Sequence, residues 1–231
     1  SGKTMSALRI ATGLGGSIAV IDSEYGRSEL YSDRYQFDIS LLDTKRSIDE
    51  VIEALNEAAE VGYEIVIIDS LSHAWQELLE EVDKLAMTKY QGNTWSAWSE
   101  GTPKQKRLIR ALIQFPGHLI ATMRSKTEWK TQDTKGGKSK PVKIGLAPEQ
   151  GKGIEYEFDM LMELTVEHMA TVTKDRTGRF QDKILEYPGE DFGRELVEWL
   201  SSGEEAAAPR TGKQIVNEIV EVYRDEVFTD A

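Results

Sequence analysis

Two short apolar runs, each closing on an aspartate, constrain this chain more than any other feature. They are S-I-A-V-I-D at 17–22 and E-I-V-I-I-D at 64–69. Both are rich in β-branched residues and apolar at successive positions, which predicts strands buried on both faces. Between them, residues 47–61 set Ile48, Val51, Ile52, Leu55, Ala58 and Ala59 on one helical face, and Gly62 ends the helix. Strands alternating with helices in this way predict a mainly parallel sheet covered by helices.

The remaining pattern extends that frame. Residues 3–14 have helical spacing and stop at Gly13, Gly15 and Gly16. After Asp69 a helix is expected, with Trp75, Leu78, Leu79, Val82 and Leu85 on one face. Residues 89–102, rich in Gly, Ser, Thr and Trp, read as a loop, and Pro103 suits the first turn of a helix to about Phe115. Residues 117–123 read as a third strand and residues 125–143 as a long mobile loop. Two antiparallel strands follow at 158–166 and 169–174, then a short strand near 183–186 and a helix at 190–201. The fold class expected is therefore α/β, with antiparallel strands added at one edge of the sheet. The domain expected is 1–202, with a linker at 203–212 and a C-terminal helix within 213–231.

Composition narrows the chemistry. The chain has 231 residues and no cysteine, which excludes disulfides, thiolate catalysis and Cys-based zinc sites. Its three histidines lack metal-ligand spacing. The formal net charge of -12 argues against a wide, permanently basic face for nucleic acid. No apolar run has the length to span a bilayer, so no membrane partner is expected.

Candidate chemistry sits at the ends of these elements. Ser1-Gly2-Lys3-Thr4 before a helix matches the end of G-x-x-x-x-G-K-[ST]. Gly2 admits a phosphate close to the backbone, Lys3 supplies a point charge, and Thr4 offers a hydroxyl to Mg2+. The opening on this motif leads us to expect a fragment lacking one N-terminal strand and half a loop. Asp69, ending its strand, is placed to bind a water of the metal, and with Lys3 upstream this reading outweighs the alternative that Asp69 or Ser70 merely caps the next helix. Glu24, in V-I-D-S-E-Y-G-R, is placed to polarise an attacking water, with Asp22 as the competing candidate. Thr122 ends the third strand, where a polar group can sense a terminal phosphate.

Five ordered stretches are more specific: 20–33, 67–75, 118–129, 146–159 and V-T-K-D-R-T-G-R-F at 172–180. Together they resemble RecA-like P-loop ATPases, within them the phage and prophage AAA-family group. That resemblance implies ATP and Mg2+ as ligands, Glu24 as catalytic base, and a ring or filament of identical subunits. It also implies that Lys174 and Arg176 reach a neighbour's ATP, and a setting in the bacterial host cytoplasm. Its recombinase members bind single-stranded DNA through a loop after the strand matching 117–123. Here that stretch carries Arg124, Lys126, Trp129, Lys130, Lys135, Lys138, Lys140 and Lys143, the most basic in the chain. The expected function is ATP hydrolysis coupled to single-stranded DNA handling; the alternative is a nucleotide-dependent assembly module without turnover.

Overall fold

The computed structural model describes residues 2–42, 45–133 and 139–203, with backbone alone for 127–133 and 139–146. Ser1, Lys135, Lys138 and the predicted C-terminal helix lie outside the described residues. The chain divides into two units, 1–197 and 198–231, with the boundary inside its last described helix.

The first unit is built on a four-stranded parallel sheet in the order β2-β1-β3-β4. Its strands are β1 (Ile18–Asp22), β2 (Asp38–Leu41), β3 (Ile65–Asp69) and β4 (His118–Ala121). Alternate residues of β1 and β3 face opposite ways. Ile18, Val20, Ile65 and Ile67 pack with Ala7, Leu8 and Ala11 of helix α1 (Lys3–Leu14) on one face. Ala19, Ile21, Val66 and Ile68 face the larger core, made with α2 (Ile48–Val61), α3 (Leu71–Lys89) and α4 (Thr94–Gln114). Every residue of β1 and β3 is buried, which is why neither run alternates in polarity. Ser47 and Glu50 form a capping box at the start of α2, and Gly62 ends it in the left-handed region with φ 90°.

The antiparallel strands form separate sheets rather than continuing the parallel one by backbone pairing. β5 (Ser125–Asp133) pairs with β6 (Ser139–Pro148), and β7 (Met160–Leu164), β8 (Met169–Asp175) and β9 (Ile184–Glu186) make a three-stranded sheet. The last helix among the described residues, α5, spans Glu190–Ser201.

Two expectations need correction. Residues 125–143 are not a long loop: Ser125 pairs opposite Pro148 and Asp133 opposite Ser139 in a hairpin. Residues 94–102 are not a loop either, because α4 begins at Thr94 and Pro103 lies inside it. Asn93 caps α4 by accepting from Ser96 N at 3.1 Å, and burial of Ala97, Gly101, Leu108 and Leu112 outweighs the poor propensity. The short edge strand β2, and one-turn helices at Arg27–Tyr31 and Ile154–Tyr156, were not anticipated.

Candidate functional site

The sheet topology locates a crevice. From β1 the chain moves to one side, to β2, whereas from β3 it moves to the other side, to β4. Ligands of open α/β sheets bind outside the carboxyl ends of the strands at such a switch point. Asp22 and Asp69 are in register there, ending β1 and β3 side by side.

Asp69 is the meeting point of three elements. It is buried, and its Oδ2 accepts from Thr4 Oγ1 of α1 at 2.5 Å. Its Oδ1 accepts from Thr122 Oγ1, just past β4. Its backbone carbonyl accepts from Ser23 N at 2.9 Å, and the Asp69–Ser70 peptide is cis. Gly2 precedes α1 with φ 70°, and a Cβ there would lie 3.1 Å from His168 Nδ1, so the position is suited to glycine alone. No side chain caps α1 and no acidic residue occupies its first turn, which leaves its N-terminal N–H groups available to an anion. Lys3 enters none of the ion pairs among the described residues.

The two acids after β1 have different surroundings. Asp22 is buried, and its carboxylate is taken up by its own turn, accepting from Glu24 N at 2.6 Å, Ser28 N at 2.9 Å and Ser28 Oγ. That turn presents Glu24, whose carboxylate meets Arg124 Nη2 at 3.2 Å and Arg27 Nη1 at 3.5 Å.

A family model described as AAA domain matches residues 1–185. The chain belongs to the AAA domain family. No curated protein matches it. Membership makes this an AAA-type P-loop domain, and nucleotide binding is the activity that accompanies it.

In this AAA domain the groups gathered at Asp69 are hydroxyls and a carboxylate. Such hard oxygen donors fit Mg2+, which keeps most of its waters and is held by few protein ligands and by phosphate. Among the described residues no cluster of three His, Asp or Glu forms a protein-only metal cage.

A buried network sits behind Glu24. Ser23 Oγ accepts from Ser70 N at 2.9 Å, donates to Ser70 O at 2.9 Å, and lies 2.7 Å from His73 Nδ1. Burial, then the Arg124 guanidinium, holds the His73 imidazole below its usual value; Glu24 raises it, Arg46 lowers it further and Asp69 raises it. His73 is therefore a packed, hydrogen-bonded residue at the start of α3. Ser23 gave no signal in the sequence, because its role depends on two strand ends meeting.

Other predicted residues are placed elsewhere. Lys174 Nζ donates to the carbonyls of Glu155, Tyr156 and Phe158 at 2.9, 2.9 and 2.6 Å. Arg176 donates to Tyr156 O at 2.6 Å and pairs with Asp159 at 3.3 Å. Neither contacts the Thr4–Asp69–Thr122 cluster within the chain. Lys126, Trp129 and Lys130 lie on β5, and Lys140 and Lys143 on β6. Arg124 is the exception, since it stands at the foot of the hairpin and reaches Glu24.

Proposed function

We propose that this AAA domain binds ATP with Mg2+ and hydrolyses it, with turnover coupled to single-stranded DNA in an assembly of identical subunits. One observation carries the reading: Thr4 from the phosphate-loop helix, Asp69 from β3 and Thr122 from β4 are joined by hydrogen bonds, with Glu24 at the end of the adjacent strand. Lys3 and the first turn of α1 hold the phosphates. Thr4 and Asp69 hold the metal and its water. Thr122 senses the terminal phosphate, and Glu24 takes a proton from the attacking water. Bound Mg2+ neutralises charge on the phosphates.

Within an assembly, Arg176 is the better finger for a neighbour's ATP, because Lys174 is committed to three carbonyls of its own chain. The lysines of the β5–β6 hairpin are the proposed DNA contacts, and the RecA-like, phage-type setting is part of the same reading.

The test is Glu24→Gln in the full-length protein, assayed for ATP binding and turnover with and without oligo(dT). The expected result is retained binding with turnover reduced roughly 10²–10⁴-fold. Unchanged turnover removes Glu24 as the base. Binding without turnover in the wild-type protein, even with DNA, favours the assembly module.

A further inference from the structure

The residues around Glu24 carry an arrangement that ATP hydrolysis does not account for. Tyr25 follows Glu24 with its backbone in the left-handed region, φ 62°, and is 73% exposed. Arg46, also left-handed at φ 52°, sets its guanidinium over the Tyr25 ring, 4.6 Å from the centroid. Arg27, three residues on in the same turn, and Arg124, from just past β4, converge on Glu24. Arg46, Arg124 and Glu24 all act electrostatically on His73, so these charges belong to one neighbourhood. The opposing carboxylates are Glu24 and Glu29, whose carboxyl lies near Gly26; Asp69 also acts on His73 but is taken up by Thr4 and Thr122, and Asp22 is consumed within the turn. In a chain of net charge -12, three guanidiniums beside an exposed aromatic ring are a local departure from the average.

We propose that Tyr25, Arg27, Arg46 and Arg124 form a site for single-stranded nucleic acid at the mouth of the crevice. A base stacks on the Tyr25 ring and phosphates bind the guanidiniums. The inference rests on the ATPase reading above and adds a contact surface separate from the lysines of the hairpin. The chemistry is specific to a strand with unpaired bases. An exposed ring offers a sequence-tolerant stacking platform, and guanidiniums bind phosphate through paired N–H donors. Exposed Arg–carboxylate pairs are weak, so a phosphate competes with Glu24 for Arg27 and Arg124. Binding of the strand thereby loosens Glu24 from both guanidiniums, which links nucleic acid to the proposed catalytic base.

The experiment measures labelled oligo(dT) by anisotropy in the full-length protein, with fluorescent ATP and a DNA duplex as parallel ligands. Tyr25→Ala is expected to weaken oligo(dT) roughly tenfold, with Tyr25→Phe near wild type. The Arg27→Ala/Arg46→Ala pair is expected to flatten the dependence of log K on log salt by about 0.7 per lost phosphate contact. Wild-type affinity for oligo(dT) in Tyr25→Ala overturns the site. So does a loss confined to ATP, which would give the ring to the nucleotide's own base, or an equal loss for duplex, which would exclude stacking. The ATPase reading is tested separately: no turnover in the wild-type protein, with or without oligo(dT), overturns it, whatever the oligonucleotide binding shows.

Discussion

Thr4 and Asp69, 65 positions apart in sequence, are joined by a 2.5 Å hydrogen bond from the Thr4 hydroxyl to the Asp69 carboxylate. That bond fixes the N-terminus of α1 over the end of β3. Thr4→Val leaves one oxygen of a buried carboxylate without its donor, so a loss of about 1–3 kcal/mol is expected in denaturant titration. Asp69→Asn keeps a similar shape but removes the charge. Its Mg2+ requirement for ATP binding should rise on the order of 10–100-fold, read by titrating the metal against fluorescent ATP.

His73 gives a pH signature. Burial, then Arg124, keeps its folded imidazole below the usual value, whereas the unfolded chain protonates near about 6.5. The unfolded state therefore binds more protons across that interval. Stability from this group is complete above the unfolded value and is lost as pH falls toward the lowered folded one. Thermal melts from pH 8 to 5 should show the decline in the wild type and a flatter profile in His73→Gln.

Lys174 and Arg176 separate bracing from catalysis in trans. Lys174→Met removes a cation from three carbonyls and should cost about 1–2 kcal/mol in the isolated chain. Arg176, with a side chain 55% exposed, should leave chain stability within about 0.5 kcal/mol when changed to Ala. If it acts on a neighbour, turnover of the assembled protein falls roughly 10³-fold or more. Equal turnover in the assembled wild type and Arg176→Ala removes the finger.

Gly101 sets the approach of α4 to α3. A Cβ there would lie 2.6 Å from Val82 Cγ2 and 3.0 Å from Trp98 Cε3. Gly101→Ala should destabilise the domain by roughly 1–3 kcal/mol through overpacking, despite alanine's better helix propensity. A chemical melt showing stabilisation would reject the close crossing.

Much of the frame was legible because burial leaves a local record. Ile65–Asp69 is apolar throughout since both faces are covered, and α2 shows its buried stripe and its cap in consecutive letters. Where the record is not local, reading failed. Gly101 resembles a loop residue and Pro103 a helix start, yet packing on α3 holds both inside α4. The β5–β6 strands are stabilised by cross-strand backbone pairing, which a polar, Gly/Lys-rich stretch does not advertise. Of the site, the motif types and the acids at strand ends were visible, but the choice between Asp22 and Glu24 was open.

The sequence by itself determined the buried strands β1 and β3, the helices α1, α2 and α3, and the residue types that end them, because periodicity and strand-end chemistry are properties of neighbouring positions. Only the tertiary structure decided that Asp22 is spent on its own turn and that Glu24 pairs with Arg27 and Arg124. Those outcomes depend on strand order and on contacts up to 100 positions apart. No local pattern encodes such separations, because they are set when the sheet assembles.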